Sequence, residues 1–396
     1  MKAAKTVIIS IVGAGAMIAV VLGIMSGINY LGGLLWRDEA LVCRKERLNA
    51  LAVTADGNTL IAGGTHIRLW DIATGKKLYG STTVRYGAGK MAGLSPAVVS
   101  ALVITPDQRL FISAVSSLGA IGSQGVHEIQ VWDLARHQPI RFFIFNGHRD
   151  RVRFLAVSPD SQTLVSQDDS GVIQLRNLAT GQVKKTWNTE VSQRFPILIS
   201  SDGKVFTSMG KDGTVTLWDM ATGNAVSKLK ADPSHTPLAI SANNKTLLTQ
   251  NAGDVKRFRA IATGAELKTL KGSYIESAFA VSPDRKQGLI TIDAGINRYD
   301  LVTGTELQTF NTDKFYNAIA ITPDGSSFLT LDPEDNYTLW NLATGTRMRQ
   351  LEGKAGRGDK AFAGAKILVN AANHTSNRIT LWDLQTGKRI RKFCNQ

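Results

Sequence analysis

Residues able to do chemistry are sparse in this chain. Its six histidines are scattered rather than gathered. There is no His-Glu-x-x-His pair for zinc, no paired-cysteine spacing for a metal, and no Gly-x-Ser-x-Gly nucleophile turn. Gly87-Ala-Gly-Lys90 has glycines and a lysine but lacks the spacing and the hydroxyl residue of a phosphate loop. Asp168-Asp169 and Asp332-Pro-Glu-Asp335 read as tight turns between strands, although the second has enough oxygens to hold a weakly bound cation. Arg357-Gly-Asp359 is a tripeptide expected by chance. No catalytic, cofactor-binding or metal-ligating residue is assigned, and no cofactor is expected. What remains is contact chemistry, thiol oxidation and the charge of a chain that carries a formal net +14.

The contact chemistry sits in two insertions. Residues 80–97 and 115–128 are far longer than the equivalent links elsewhere and are rich in Gly and Ser. Arg85, Tyr86, Lys90, Met91, Gln124 and His127 are the side chains there that could grip a protein partner; the alternative is surplus loop length with no partner.

The elements that would hold these loops are hairpins. Gly210-Lys-Asp-Gly-Thr-Val-Thr-Leu-Trp-Asp219, then Met-Ala-Thr-Gly223, reads as turn, strand, turn. Val215 and Leu217 alternate with Thr214 and Thr216 at the two-residue period of a strand with unlike faces. Trp-Asp or a near equivalent recurs at 70, 132, 176, 218, 259, 299, 340 and 382, and Thr-Gly follows four residues later in seven of these eight units. Apolar strands ending in Thr54-Ala-Asp-Gly57, Thr105-Pro-Asp107, Ser158-Pro-Asp160, Ser201-Asp-Gly203, Ser282-Pro-Asp284 and Thr322-Pro-Asp-Gly325 precede most of them. A spacing of about 40–45 residues is that of a four-stranded propeller blade.

With these motifs the chain resembles the WD40-repeat family over roughly residues 48–396, as a divergent, membrane-anchored, prokaryotic-looking form of it. The expected fold is an all-β, eight-bladed propeller of four-stranded antiparallel blades. The resemblance implies a non-enzymatic platform for protein–protein interaction with an unnamed protein partner. A small-molecule sensor or enzyme using the central channel is the alternative, and the uniformly apolar inner strands weigh against it. The family stabilises its blades with a buried network of a Gly-His histidine, a turn aspartate, a strand Ser/Thr and the tryptophan. Only Gly147-His148 is visible here, in the unit with Arg176 at the tryptophan position, so no unit is expected to build the full network.

Residues 1–36 lie outside the repeat. Lys2 and Lys5 precede an uncharged stretch from Thr6 to Trp36, longer than the ~20 residues a helix needs to cross a bilayer. The reading is a short N-tail and one transmembrane α-helix; the alternative is a cleaved leader, against which stand the length of the run and the poor cleavage site. Gly15, Ala19, Gly23 and Gly27 would line one face of that helix and allow self-association. The N-terminus is expected in the cytoplasm and the propeller on the extracytoplasmic side of a single-pass membrane protein. Residues 37–47 form a connector and a candidate ring-closing strand. Cys43 and Cys394 fall at the same repeat position at opposite ends of the ring, which suggests a disulfide across the closure. Arg44, Lys45, Arg47, Lys388, Arg389, Arg391 and Lys392 would gather there and could lie on anionic headgroups. Lysines on the other outer strands read as edge protection. Without aromatic interleaving or a recognition motif, the charge does not point to nucleic acid.

Overall fold

The computed structural model describes residues 11–13, 16–18, 49–80, 98–117, 126–144, 148–188, 197–230, 236–251, 255–271, 278–292, 295–312, 316, 318–353, 358–363, 365–372 and 378–394. From residue 50 onward the strands fall into eight consecutive antiparallel sheets, here called the first to eighth blades: 50–80, 98–144, 152–188, 197–230, 236–271, 279–311, 318–350 and 358–394. Within each, the strands pair in chain order from the inner to the outer edge. Seven blades have four paired strands, and the fourth has three. There the inner segment touches the sheet only by the bridge between Ile199 and Phe206 and by a bond from Leu198 N to Thr207 Oγ1 at 3.1 Å.

Burial explains why the units cannot stand alone. Each blade exposes two apolar faces, and every face is covered by the next blade. Eight buried apolar clusters occupy the eight junctions. The junction that matters most joins the eighth blade to the first: Leu51, Val53, Leu60, Trp70 and Ile72 pack on Val369, Ile379 and Leu381. At roughly 1.5–3 kcal/mol for each large apolar side chain buried, this one seam is stabilised by roughly 12–24 kcal/mol as an upper estimate. The ring is therefore closed by packing.

Two turns recur and account for the repeating letters. At the inner turn a hydroxyl and a carboxylate hold the bend: Ser200 Oγ donates to Asp202 Oδ1 at 2.7 Å, and the amides of Lys204 and Val205 donate back to Asp202 Oδ1 and Ser200 Oγ, both at 3.0 Å. The same arrangement appears at Thr54/Asp56, Thr105/Asp107, Ser158/Asp160, Ser241/Asn243, Ser282/Asp284 and Thr322/Asp324. At the outer turn Asp219 Oδ1 accepts from Thr222 N and Oγ1 at 2.7 and 2.8 Å, and Gly223 takes the φ of 68° that a side chain would resist. The Trp-Asp pair thus divides its work. The tryptophan covers the preceding blade, and the aspartate fastens its own turn.

The outer edges are protected in a way the sequence reading missed. Every outer strand carries a one-residue bulge just after that turn, at Leu78, Ile140, Lys184, Val226, Leu267, Leu307, Met348 and Ile390. A bulge interrupts the ladder that another chain would need for pairing. Some of the basic residues on the outer strands also bridge blades. Lys185 Nζ reaches Thr222 O at 3.4 Å and Asn224 Oδ1 at 3.1 Å in the fourth blade. Arg391, on the eighth, donates through Nη2 to Ala73 O at 3.0 Å and through Nη1 to Thr74 O in the first.

Of the expected membrane segment, only Ile11–Gly13 and Ala16–Ile18 are described, as two short strands paired with each other rather than as helix. The transmembrane helix is accordingly not shown. Among the described residues no helix is long and apolar enough to cross a membrane. Gly15, Ala19, Gly23, Gly27 and the whole 37–47 connector lie outside the described residues. The eighth blade takes its four strands from 358–394, with Arg389–Cys394 as the outer one, so its four described strands all come from one stretch of chain.

Replacing Arg391 by Ala should lower stability by about 1–2 kcal/mol, because two carbonyl bonds across the seam are lost at an exposed position. Lys392→Ala, one residue away and exposed, should stay within about 0.5 kcal/mol. Urea midpoints of the two variants check this, and equal midpoints would remove the clamp.

Candidate functional site

The middle strands of the second blade stand taller than any others. Their ladder starts level with its neighbours at Leu110↔Asp133 and runs through eight pairs to Ser117↔Val126, against five in the third blade and six in the sixth. At about 3.3 Å per residue, the hairpin rises roughly 7–10 Å beyond the rim. Insertion 118–125 continues from its tip and 81–97 leads into the same blade. Arg85, Tyr86, Lys90, Met91 and Gln124 lie in those stretches, outside the described residues.

His127 is described, and it sits at this raised end opposite Ser116. Strand alternation turns both toward the third blade, on the same side as Ala114 and Ile129, which pack there. Ser116 is 4% exposed. Its Oγ and the Nδ1 of His127 are buried without a hydrogen-bond partner, a pairing that ordinary folded interiors avoid. Burial pushes the His127 pKa below its usual value, against the pull of Asp150, Asp168 and Asp169. At neutral pH the ring is therefore neutral and offers one donor and one acceptor.

Beside it the third blade supplies charge. Asp169 receives Arg151 Nη2 at 2.9 Å and Arg153 through Nε and, at 3.1 Å, Nη2. Arg151 and Arg153 flank Val152 on the inner strand and Asp169 sits in the turn after Thr163–Asp168, so the pair of forks is fixed by two elements. Ser100 Oγ donates to Val152 O at 2.6 Å and ties the two blades together here. Asp168-Asp169 is a tight turn, as its sequence suggested, with Gly171 at φ 96°.

Under that turn lies a network the sequence reading undervalued. His148 Nδ1 is 3.0 Å from Asp168 Oδ2 and Nε2 is 2.8 Å from Ser166 Oγ. Burial alone would raise the Asp168 pKa, but bonds from His148, Ser170 and the Val172 amide hold it below the ordinary value. Three of the four expected partners are therefore present. The fourth is absent because Arg176 turns to Gln174 Oε1 at 2.8 Å and Gly181 O at 2.7 Å. A serine, a histidine and an aspartate in line have the composition of a nucleophilic triad. The His148 and Asp168 side chains are 0% exposed, so no substrate reaches them and their role is to hold the blade. Elsewhere the tryptophan keeps its hydroxyl partner without the histidine: Trp132 with Ser113 at 3.0 Å, Trp218 with Ser208 and Trp340 with Thr330, both at 2.8 Å.

On the opposite face of the raised strand, toward the first blade, Glu128 is 5% exposed. Burial pushes its pKa up to about 7, with a bond from Gln130 opposing. Asp332 and Asp335 form the turn expected of them, with Asp332 accepting from Asn336 N at 2.8 Å. Among the described residues no group of three or more His, Cys, Asp or Glu could hold a metal. Of the seam residues, Lys388, Arg389 and Lys392 are exposed and Arg391 is committed to the clamp. Arg44, Lys45, Arg47 and Cys43 lie outside the described residues, and Cys394 pairs through its backbone with Arg378.

The family model for the WD domain, G-beta repeat, matches residues 138–177. The chain is similar to rat apoptotic protease-activating factor 1, 24% identical over 256 residues that cover 58% of this chain and 20% of that protein. It is similar to autophagy-related protein 16 of Arabidopsis thaliana, 28% identical over 50% of this chain and 36% of the relative, and to Drosophila melanogaster groucho, 26% identical over 54% and 32%. The matches span about a third of these relatives or less. Among solved structures, the C-terminal WD40 domain of Sif2 aligns with a TM-score of 0.65 at 14% identity, over 86% of this chain and 96% of that one. The computationally designed Ika8 protein aligns with a TM-score of 0.63 at 21% identity, over 87% and 98%. The repeat-model match and the curated relatives support the WD40 repeat family, and the solved structures support the eight-bladed fold.

Glu128 gives a signed pH effect. Its raised pKa means that the folded chain holds a proton the unfolded chain releases, so stability falls as pH rises from the unfolded carboxyl value to about 7. Glu128→Gln should therefore stabilise the fold at pH 8 by about 1–2 kcal/mol after allowance for solvent screening, seen as a higher thermal midpoint, and change little at pH 4. An equal gain at both pH values would contradict the assignment.

Proposed function

We propose that this chain is a membrane-held, non-enzymatic scaffold that docks a protein partner on the raised face of its second and third blades. The observation that carries the reading is the tall hairpin with Ser116 Oγ and His127 Nδ1 left without partners at its end. Both atoms are buried, so a partner would reach them by shifting the hairpin tip, and the hydrogen bonds then formed would favour the bound state. The forked arginines at Asp169 add a partly exposed charged rim beside them, a pattern that suits a polar protein surface. Arg85, Tyr86, Lys90, Met91 and Gln124, on the two insertions, would widen the contact. Proteins that resemble this repeat family serve as such platforms, which supports the reading by analogy of fold.

The anchor belongs to the same proposal. Thr6 to Trp36 carries no charged residue, and a helix there would hold the ring at a bilayer with the propeller on the extracytoplasmic side. Gly15, Ala19, Gly23 and Gly27 would let two such helices associate. Lys388, Arg389 and Lys392, with Arg44, Lys45 and Arg47, would rest on anionic headgroups. A Cys43–Cys394 bond would fasten the connector to the outer strand; a shift in gel mobility on reduction is its signature, and unchanged mobility removes it.

The docking reading is tested by crosslinking in isolated membranes, comparing the intact chain, a deletion of 81–96 and the pair Ser116→Ala with His127→Ala. Both variants should lose the same crosslinked species while unfolding at nearly the midpoint of the intact chain. An unchanged set of crosslinks would overturn the assigned face, and a chain that stays in the soluble fraction would overturn the anchor.

A further inference from the structure

At the opposite end of the ring the inner turns form a belt around the axis. The fourth residue of each turn takes a positive φ: Gly57, Gln108, Ser161, Gly203, Asn244, Arg285 and Gly325. Several reach back one blade. Gln108 Oε1 accepts from Ala55 N at 2.8 Å, and Ser161 Oγ accepts from Asp107 N at 3.0 Å. Most of these positions hold glycine or a short polar residue, which tolerate the left-handed region best. The sixth blade alone among them places a long cation there, Arg285 at φ 56°.

Arg285 passes the fifth blade and donates through Nη1 to Ile199 O in the fourth. Its own carbonyl accepts from Ala242 N at 3.0 Å, so the turn that carries it is fixed. The side chain is 7% exposed, and it forms no ion pair among the described residues. The carboxylate whose charge it feels is Asp202, which is already engaged by Ser200, by the Lys204 amide and, at 3.8 Å, by Lys204 Nζ. Buried cations are ordinarily matched by a counter-charge, because burial without one is costly. Arg285 also lines a small cavity with Leu198, Ile199, Leu238, Ala239, Ile240 and Val281. Its free space suits about one water-sized body.

We propose that Arg285 is the receptor of a small-anion site at the inner ends of the fourth to sixth blades, taking a halide-sized anion. The cation supplies the attraction, the apolar walls strengthen it by excluding water, and the limited room excludes bulky anions. Binding would also brace the fourth blade, whose inner segment is the one not paired as a full strand. A guanidinium that serves only as a pin on Ile199 would show no anion dependence, which separates the two roles.

The test is the thermal midpoint of the purified full chain in sodium bromide, sodium acetate and the sodium salt of a bulky sulfonate buffer, at equal ionic strength, for the intact chain and for Arg285→Gln. The intact chain should gain several degrees in bromide relative to both acetate and the sulfonate, over and above the change seen in the variant. A gain in acetate alone would overturn the halide assignment. Equal salt responses in the two proteins would overturn the proposal. If the variant does not fold, bromide-soaked crystals of the intact chain decide: an anomalous peak beside the guanidinium supports the site, and its absence at saturating bromide refutes it.

Discussion

Apolar packing between neighbouring sheets is the interaction on which everything else in this molecule rests. A single blade has two faces to hide and only its neighbours to hide them, so the chain must bring its last blade against its first. It does so with side chains that are individually ordinary. Leu60 and Leu381 are both 0% exposed, and the seam they share resembles the other seven junctions. The Arg391 clamp adds about 1–2 kcal/mol to a seam worth several times that, so it refines the registry of the closure without creating it. Hydrogen-bonded turns then set the height of each blade, and the bulge next to the outer turn interrupts every free edge.

Function on such a ring comes from departures from the repeat. The second blade departs by height, and that places Ser116 Oγ and His127 Nδ1 at an end where neither has a hydrogen-bond partner. The third departs by keeping His148, Ser166 and Asp168 while giving up the tryptophan, which stiffens the blade beside the raised hairpin. The sixth departs by putting Arg285 where most of its sisters use glycine or a short polar side chain. These departures fall at opposite ends of the ring, so a partner on the raised face and an anion at the axis would not compete for the same residues.

Most of the architecture was legible in the letters, and for a physical reason. A turn residue that must reach φ > 0, a hydroxyl two residues before a carboxylate and a two-residue apolar period are local demands, and local demands leave local patterns. What escaped was long-range or disguised. Ser241-Ala-Asn-Asn244 makes the inner turn with Asn243 in place of aspartate, and so hid from a search for Pro-Asp. The fourth blade's turn begins at Ser200, one residue earlier than its sequence suggested. Lys185 looked like an edge charge and Arg391 like a headgroup contact because the turns they reach lie 37 and 317 residues away. Arg285 gave no signal, since its partner is 86 residues distant. Ser166 and Asp168 were invisible as members of a network until His148 was seen beside them.

Amide hydrogen exchange of the intact chain tests the closed ring most directly. In a closed ring the end blades have no loose face, so Ala50–Val53 and Ile367–Ala372 should exchange as slowly as Thr236–Ile240 and Ala318–Ile321. Protection that decays from the middle blades toward both ends, with these two strands exchanging orders of magnitude faster, is the behaviour of an open stack and would contradict the account.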